Sequence, residues 1–244
     1  MRRIRLLFLG LTLPGLFTTL SASAISGTFN ISGTFKMSGT GAATIITWKS
    51  DLTPTFTPDM FSTTAATGSF AGEDGQNTID NLDISSEPIG TEFADTPFIA
   101  FDVLPGLPGL DINFIYPGVG GSAACKAAPA VGQTCTPANP GGSPFTFTNF
   151  PPPRSIQTTA EFVFTGVTSD GLSEWEGVFT SGFNKPFQTV LAAFAPGGSG
   201  SVTNTFAGTI TVTPISNAPE VSPALMLVSG LGLLLLLKRI SSES

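Results

Sequence analysis

The sequence predicts an all-β fold, an antiparallel β-sandwich of the jelly-roll type, between an N-terminal signal-peptide helix and a single C-terminal hydrophobic helix. Three observations predict the β domain. The chain holds 28 Gly, 20 Pro and 21 Phe, a composition that favours strands joined by tight turns. Charged residues make up only 11%, against roughly 25% in ordinary soluble domains. Short apolar segments follow one another without a convincing amphipathic helix between them. A β-barrel is the alternative.

The first predicted strand carries a repeat of six residues, Ile-Ser-Gly-Thr-Phe at 25–29, its copy at 31–35 and Met-Ser-Gly-Thr at 37–40. Because six is an even number, equivalent positions of the repeat fall on one face of a strand. We therefore expect Phe29, Ile31, Phe35 and Met37 to face the core.

The remaining strands are predicted from alternation and from β-branched or aromatic content. The strongest signal is a hairpin around Thr168-Ser169-Asp170-Gly171, in which Phe162 and Phe164 share one face, as do Trp175 and Phe179. The Thr-rich last strand resembles the first, so the two are expected to pair. Residues 136–153 are expected to form an irregular loop. The predicted strands after the first span 43–50, 68–71, 78–84, 98–103, 110–116, 158–168, 173–181 and 200–215, with 187–194 either a strand or a helical turn.

Charge and composition exclude several classes of function. Between residues 25 and 217 there are fifteen acidic and five basic residues, so this part of the chain repels phosphate and nucleic acid is not an expected partner. The chain has no histidine, which excludes Ser-His-Asp and Cys-His catalysis and the usual Cys/His zinc sites. We expect no cofactor.

The N-terminus has the pattern of a secretory signal peptide, residues 1–24. Three arginines within residues 2–5 precede an apolar run from Leu6 to Leu20. Small residues follow, with Ala22 and Ala24 at the −3 and −1 positions, so signal peptidase is expected to cut after Ala24. The exported domain would then span 25–217.

The C-terminal segment, residues 218–244, predicts a marginal membrane helix. Residues 221–237 are uncharged and are followed by Lys238 and Arg239. About 20 apolar residues span a bilayer comfortably, and this run is shorter. The basic pair is expected to stay in the cytoplasm, which leaves the domain outside.

Pro219 and Glu220, the weak helix and the basic pair Lys238-Arg239 together resemble the PEP-CTERM sorting signal of Gram-negative and related bacteria. Val221 stands where that family has its second proline. The resemblance implies processing by an exosortase-type membrane peptidase and a transient membrane anchor. It covers only the last 26 residues or so, and therefore predicts an address in the cell envelope or outside the cell and not an activity.

Cys125 and Cys135 are the only cysteines, and in an exported protein two cysteines at this spacing predict one disulfide. The acidic stretch from Glu73 to Asp83 holds weak candidates for calcium ligands, Asp74, Asp80 and Asp83, although an Asp- and Asn-rich turn is the ordinary explanation.

Three functions remain open from the sequence. A non-enzymatic surface or extracellular-matrix protein is the first, and no residue is assigned a catalytic role. A carbohydrate-binding module is the second, with extracellular polysaccharide as partner and Trp48, Trp175 or Tyr116 as platforms. A carboxylate-dependent glycoside hydrolase is the third, because Glu174 and Glu176 project from one face of a strand about 7 Å apart.

Overall fold

The computed structural model describes residues 23–38, 45–49, 60–84, 86–138, 141–151, 156–195 and 197–215. They form an almost entirely β structure with one short α-helix, α1 Phe187–Leu191, and three 3-10 turns at Gly68–Phe70, Ser122–Lys126 and Ala192–Phe194. The strands are β1 Gly27–Ser38, β2 Ile45–Lys49, β3 Met60–Thr64, β4 Gly75–Ile79, β5 Leu82–Asp83, β6 Thr96–Ala100, β7 Leu110–Ile115, β8 Thr134–Cys135, β9 Thr146–Phe150, β10 Gln157–Thr168, β11 Ser173–Phe183 and β12 Ser201–Pro214.

Eight strands close into an antiparallel barrel in the order β11-β12-β1-β3-β4-β6-β7-β10, and β10 pairs with β11 to complete the ring. The predicted all-β, antiparallel class is therefore confirmed. The jelly-roll sandwich is not confirmed, because the strands form one closed sheet. An eight-stranded barrel leaves an interior just wide enough to be filled by side chains.

Two long strands each change partners halfway along their length. On the side away from β12, β1 pairs with β3 through Asn30–Ser32 and with β2 through Thr34–Ser38. On the side away from β11, β10 pairs with β7 through Phe164–Thr168 and with β9 through 157–161. Where β1 pairs with β3 and β10 pairs with β7, the strands form a closed ring. Beyond those pairs, β1 continues into pairing with β2, which pairs with β5, and β10 continues into pairing with β9, which pairs with β8.

The barrel interior is filled mainly by phenylalanine. Phe162 and Phe179 stack with ring centroids 5.3 Å apart, and Phe98 stacks on Trp175 at 5.9 Å. Such offset pairs add to the free energy gained from burying aromatic surface. Ten phenylalanines are among the largest fully buried side chains, at positions 29, 35, 61, 70, 98, 147, 162, 164, 179 and 187.

The strongest sequence predictions are confirmed. The hairpin of β10 and β11 turns at Ser169-Asp170, and its predicted inward aromatic residues are buried. β1 pairs with β12 in the register Gly27↔Val212 to Ser38↔Ser201. Other predictions are wrong in detail: 68–71 is a 3-10 turn and not a strand, 78–84 breaks into the end of β4 and β5, and 136–153 contains β9. Residues 187–194 are helical.

The described chain enters and leaves the barrel at one end, which we call the entry end. Ile25 is buried there, and its carbonyl oxygen accepts a hydrogen bond of 2.8 Å from Ser173 Oγ. The backbone N–H of Ile215 donates to the Leu172 carbonyl at 3.0 Å. The opposite end is covered by the cap, which comprises β8, β9, α1 and the 3-10 turn Ser122–Lys126.

No helix among the described residues is long and apolar enough to cross a bilayer. The predicted hydrophobic helix 221–237 and residues 1–22 lie outside the described residues.

Candidate functional site

Two adjoining recesses lie on the outer face of β7, β10, β11 and β12. Alternate residues of these strands point outward, and the pairing register aligns them in rows across the sheet. One row runs Thr211, Glu176, Thr165 and Phe114, and the next runs Thr213, Glu174, Val167 and Asp111. We call this surface the outer face.

Two grooves cross the outer face. One, of about 560 Å³, is lined by Asn113, Thr165, Val167, Glu174 and Thr211 among others. The second, of about 340 Å³, lies between the outer face and the loops before β8 and β9, and its lining includes Val119, Pro144 and Glu161. Tyr116 and Glu176 line both grooves, so the two recesses meet at these side chains.

The outer face is acidic and carries one exposed aromatic platform. Glu161, Glu174 and Glu176 are exposed, and β7, β10, β11 and β12 contain no Lys or Arg. The cross-strand neighbours of the three glutamates are threonines and one valine. Tyr116 is 43% exposed and packs edge-on against Phe114, with centroids 4.8 Å apart.

Beneath the larger groove, Trp175 links β11 to β7 by a hydrogen bond inside the barrel. Its indole Nε1 donates a hydrogen bond of 2.9 Å to the Asp111 carbonyl oxygen. The indole is 2% exposed, so it contributes to the core, as predicted for an inward tryptophan, and offers no platform to a ligand. Burial raises the pKa of the Asp111 carboxyl, and the nearby charge of Asp95 raises it further.

Glu174 and Glu176 do project from the same face of β11, as predicted. Both are exposed on the outside of the barrel, and the residues directly across the sheet from them are Val167 and Thr213, and Thr165 and Thr211. Glycoside hydrolysis needs two carboxyl groups on either side of the scissile bond. Two side chains standing side by side on a sheet surface do not provide that arrangement.

Trp48 lies in β2, away from the outer face in the strand order. Of the other two predicted aromatic platforms, Tyr116 lines the grooves with its side chain exposed, whereas Trp175 is buried.

The cap is held by a disulfide and by a buried polar network. Cys125 and Cys135 form the predicted disulfide, with Cα atoms 5.4 Å apart. Asn149 is fully buried; its Oδ1 accepts hydrogen bonds from the Phe187 N–H and the Thr158 hydroxyl, each at 3.0 Å. Its Nδ2 donates to Gln188 Oε1 at 3.2 Å. This network is satisfied internally, and sequence analysis gave no indication of it because its members lie far apart in the chain.

The calcium candidates are not brought together. Asp74 and Asp80 flank β4, which separates them by roughly 20 Å at 3.3 Å per residue. Asp83 lies in β5, where its N–H donates to Glu87 Oε2 at 2.6 Å. Within the described ranges no three acidic or cysteine side chains cluster as metal ligands. Burial raises the pKa of the Glu87 carboxyl.

Glu73, just before β4, is fully buried, and neither of its carboxylate oxygens has a hydrogen-bond partner in the described part of the protein. A buried polar group in this state costs free energy. The sequence placed Glu73 in a polar turn and gave no sign of its burial.

The sorting residues Pro219, Glu220, Lys238 and Arg239, and Ala22 of the signal-peptide cleavage motif, lie outside the described residues. Ala24 is described, and it directly precedes Ile25, the first buried residue of the described ranges.

Comparison of the chain with protein-family models, with curated proteins and with solved structures finds no match.

Proposed function

We propose that this chain is a non-enzymatic protein of the bacterial cell surface or extracellular matrix, exported by its N-terminal signal and processed through its C-terminal sorting signal. The observation that carries the proposal is that burial in the described chain begins directly after the predicted cleavage site. Among the described residues, which begin at 23, the first buried side chain is that of Ile25, the residue that cleavage after Ala24 would leave at the N-terminus. Of the two described residues before it, Ser23 is exposed and Ala24 is only partly buried.

The disulfide supports an oxidising destination. Disulfides persist outside the cytoplasm, and Cys125 and Cys135 are bonded to each other in the cap. The signal pattern at the N-terminus and the disulfide in the cap therefore both support export.

The architecture supports a structural or binding role over catalysis. Phenylalanine fills the barrel, and the paired glutamates Glu174 and Glu176 lie exposed side by side on its outside. Enzyme sites usually combine a recess with titratable groups that converge on one point. Carbohydrate binding is the alternative function, and it is favoured by one observation: the two outer grooves meet at the exposed ring of Tyr116.

Fractionation combined with intact-mass analysis tests the proposal. We expect the mature protein in the envelope or medium, with a mass that begins at Ile25 and lacks the residues after the Pro219-Glu220 motif. Deleting the host's exosortase should leave the C-terminal segment attached. A cytoplasmic protein with Met1 retained, or a C-terminus unchanged by the deletion, would contradict export or sorting respectively.

A further inference from the structure

We propose that the outer face binds a polysaccharide that carries free amino groups, with Tyr116 as the stacking platform and Glu176 and Glu174 as the partners of the ammonium groups. The inference rests on the proposed export, because it requires the outer face to meet extracellular polymer. It goes beyond that proposal in naming the chemical class of the partner.

The shape of the surface fits an extended chain. The two grooves meet at Tyr116 and Glu176 and together run from the loop that holds Val119 to the outward threonines of β12. Crossing from β7 to β12 spans three inter-strand gaps, about 14 Å at the usual strand separation. A polysaccharide chain lying across this sheet would therefore place several of its sugars in contact with the protein at once.

The polar lining suits sugar hydroxyl groups. Thr165, Thr211, Thr213 and Asn113 line the larger groove, and such side chains both donate and accept hydrogen bonds. The Tyr116 ring is fixed in place by its edge-on contact with Phe114 and remains 43% exposed. A fixed, half-exposed aromatic ring can stack on the apolar face of a sugar without a large loss of side-chain entropy.

The charge of the surface selects among polysaccharides. The four strands of the outer face contribute Asp111, Glu161, Glu174 and Glu176 and no basic residue. Exposed carboxylates without a basic neighbour give a surface a negative potential. Anionic polymers would be repelled and neutral ones would gain nothing from these charges, whereas protonated amino groups would be attracted.

The test compares oligomers of one sugar backbone. The protein, purified from the envelope or medium in the form its host releases, is titrated by calorimetry with chitosan oligomers, with acetylated chitin oligomers of equal length and with alginate oligomers. The buffer is mildly acidic and of low ionic strength. We expect binding to chitosan that is about tenfold or more tighter than to chitin and that weakens as salt is added, and no binding to alginate.

Matched variants distinguish binding at a specific site from non-specific attraction between opposite charges. Glu176→Gln should weaken chitosan binding about three- to tenfold, and Tyr116→Ala should weaken binding of the same oligomer about tenfold. Glu92→Gln removes an exposed charge from a loop outside both grooves and should change affinity little. Thermal denaturation checks that each variant is folded.

The proposal is overturned if chitosan and chitin bind equally, if no oligomer binds, or if Glu92→Gln weakens binding as much as Glu176→Gln. Binding that survives Tyr116→Ala unchanged also overturns it. None of these results affects the proposed export, which fractionation and intact mass decide independently.

Discussion

Gly166 on β10 lies directly opposite Trp175 on β11, whose indole Nε1 donates a hydrogen bond of 2.9 Å to the Asp111 carbonyl oxygen on β7. Three strands of the barrel wall are therefore joined at one point, and the hydrogen bond requires that position 166 have no side chain. A Cβ atom at 166 would overlap the Asp111 carbonyl oxygen and lie 2.7 Å from Trp175 Nε1.

Gly166→Ala is expected to destabilise the protein by about 2–4 kcal/mol, because the added methyl group displaces the indole or separates β7 from β10. Urea unfolding followed by tryptophan fluorescence measures both the loss of stability and the changed indole environment. Gly182→Ala is the matched control, since Gly182 lies in β11 and a Cβ atom there meets nothing within 4 Å. Equal stability of the two variants would contradict this packing.

Asn149→Ala should loosen the cap. The substitution leaves the Phe187 N–H without its buried acceptor, whereas the Thr158 hydroxyl keeps the Thr148 carbonyl oxygen, and we expect a loss of about 1–3 kcal/mol in the free energy of unfolding. Denaturant titration gives this value. Asn184→Ala, at an exposed position with one long hydrogen bond of 3.4 Å to Gln157, should cost little by comparison.

Replacing Cys125 and Cys135 together by alanine should lower the free energy of unfolding by about 2–3 kcal/mol, because the unfolded chain regains the freedom of a loop closed over ten residues. The same loss is expected for the unaltered protein in reductant, which makes the two measurements controls for each other. Hydrogen exchange of the Phe187 amide should accelerate in both, since that amide is bound in the cap.

Glu73→Gln should stabilise the barrel at neutral pH. The substitution keeps the shape of the side chain and removes a carboxylate that is buried without hydrogen-bond partners, so we expect a gain of about 1–3 kcal/mol. Asp74→Asn, at the exposed neighbouring position, should have a small effect. Thermal and chemical denaturation of the pair decides the matter, and a loss of stability in the Glu73 variant would show that its carboxylate has a role that the contacts do not explain.

Asp111→Asn should alter how stability depends on pH. The folded state raises the pKa of this carboxyl above its ordinary value of 3.8, mainly through burial and secondly through Asp95. The native state therefore binds the proton more tightly than the unfolded chain, and this contribution to stability is complete below the ordinary pKa and is lost as pH rises through the raised one.

The variant should accordingly be more stable than the natural protein at neutral pH, and the difference should shrink as the pH falls towards 3.8. Melting temperatures measured over a series of pH values test this. Asp95→Asn should produce a smaller change in the same direction, because it removes only the second cause. A difference that does not vary with pH would contradict the assignment.

Local chemistry explains which parts of the fold could be predicted. The β10–β11 hairpin is encoded by a turn sequence between two alternating strands, and its aromatic residues at 162, 164, 175 and 179 are buried as expected. The choice between sandwich and barrel depends on which distant strands pair. The midpoint exchanges of β1 and β10 leave no local pattern, so closure of the ring could not be predicted.

The candidate site was predictable only in part. Outward projection of Glu174 and Glu176 follows from strand alternation alone. Their proximity to Tyr116 depends on β7 and β11 both pairing with β10, a relation between segments nearly sixty residues apart. Burial of Glu73 and Asn149 contradicts the usual exposure of polar side chains, and only tertiary contacts reveal it.

The pairing of β1 with β12 has a consequence for the order of folding. The first strand of the barrel forms twelve residue pairs with the last, from Gly27↔Val212 to Ser38↔Ser201. Contacts of such high sequence separation form slowly, because a long loop must be closed before they are gained. During synthesis, or during the export proposed above, β1 cannot complete this pairing until residue 212 has emerged. The ring therefore closes only after nearly all of the described chain is available, and export in an unfolded state is compatible with a closed barrel as the product.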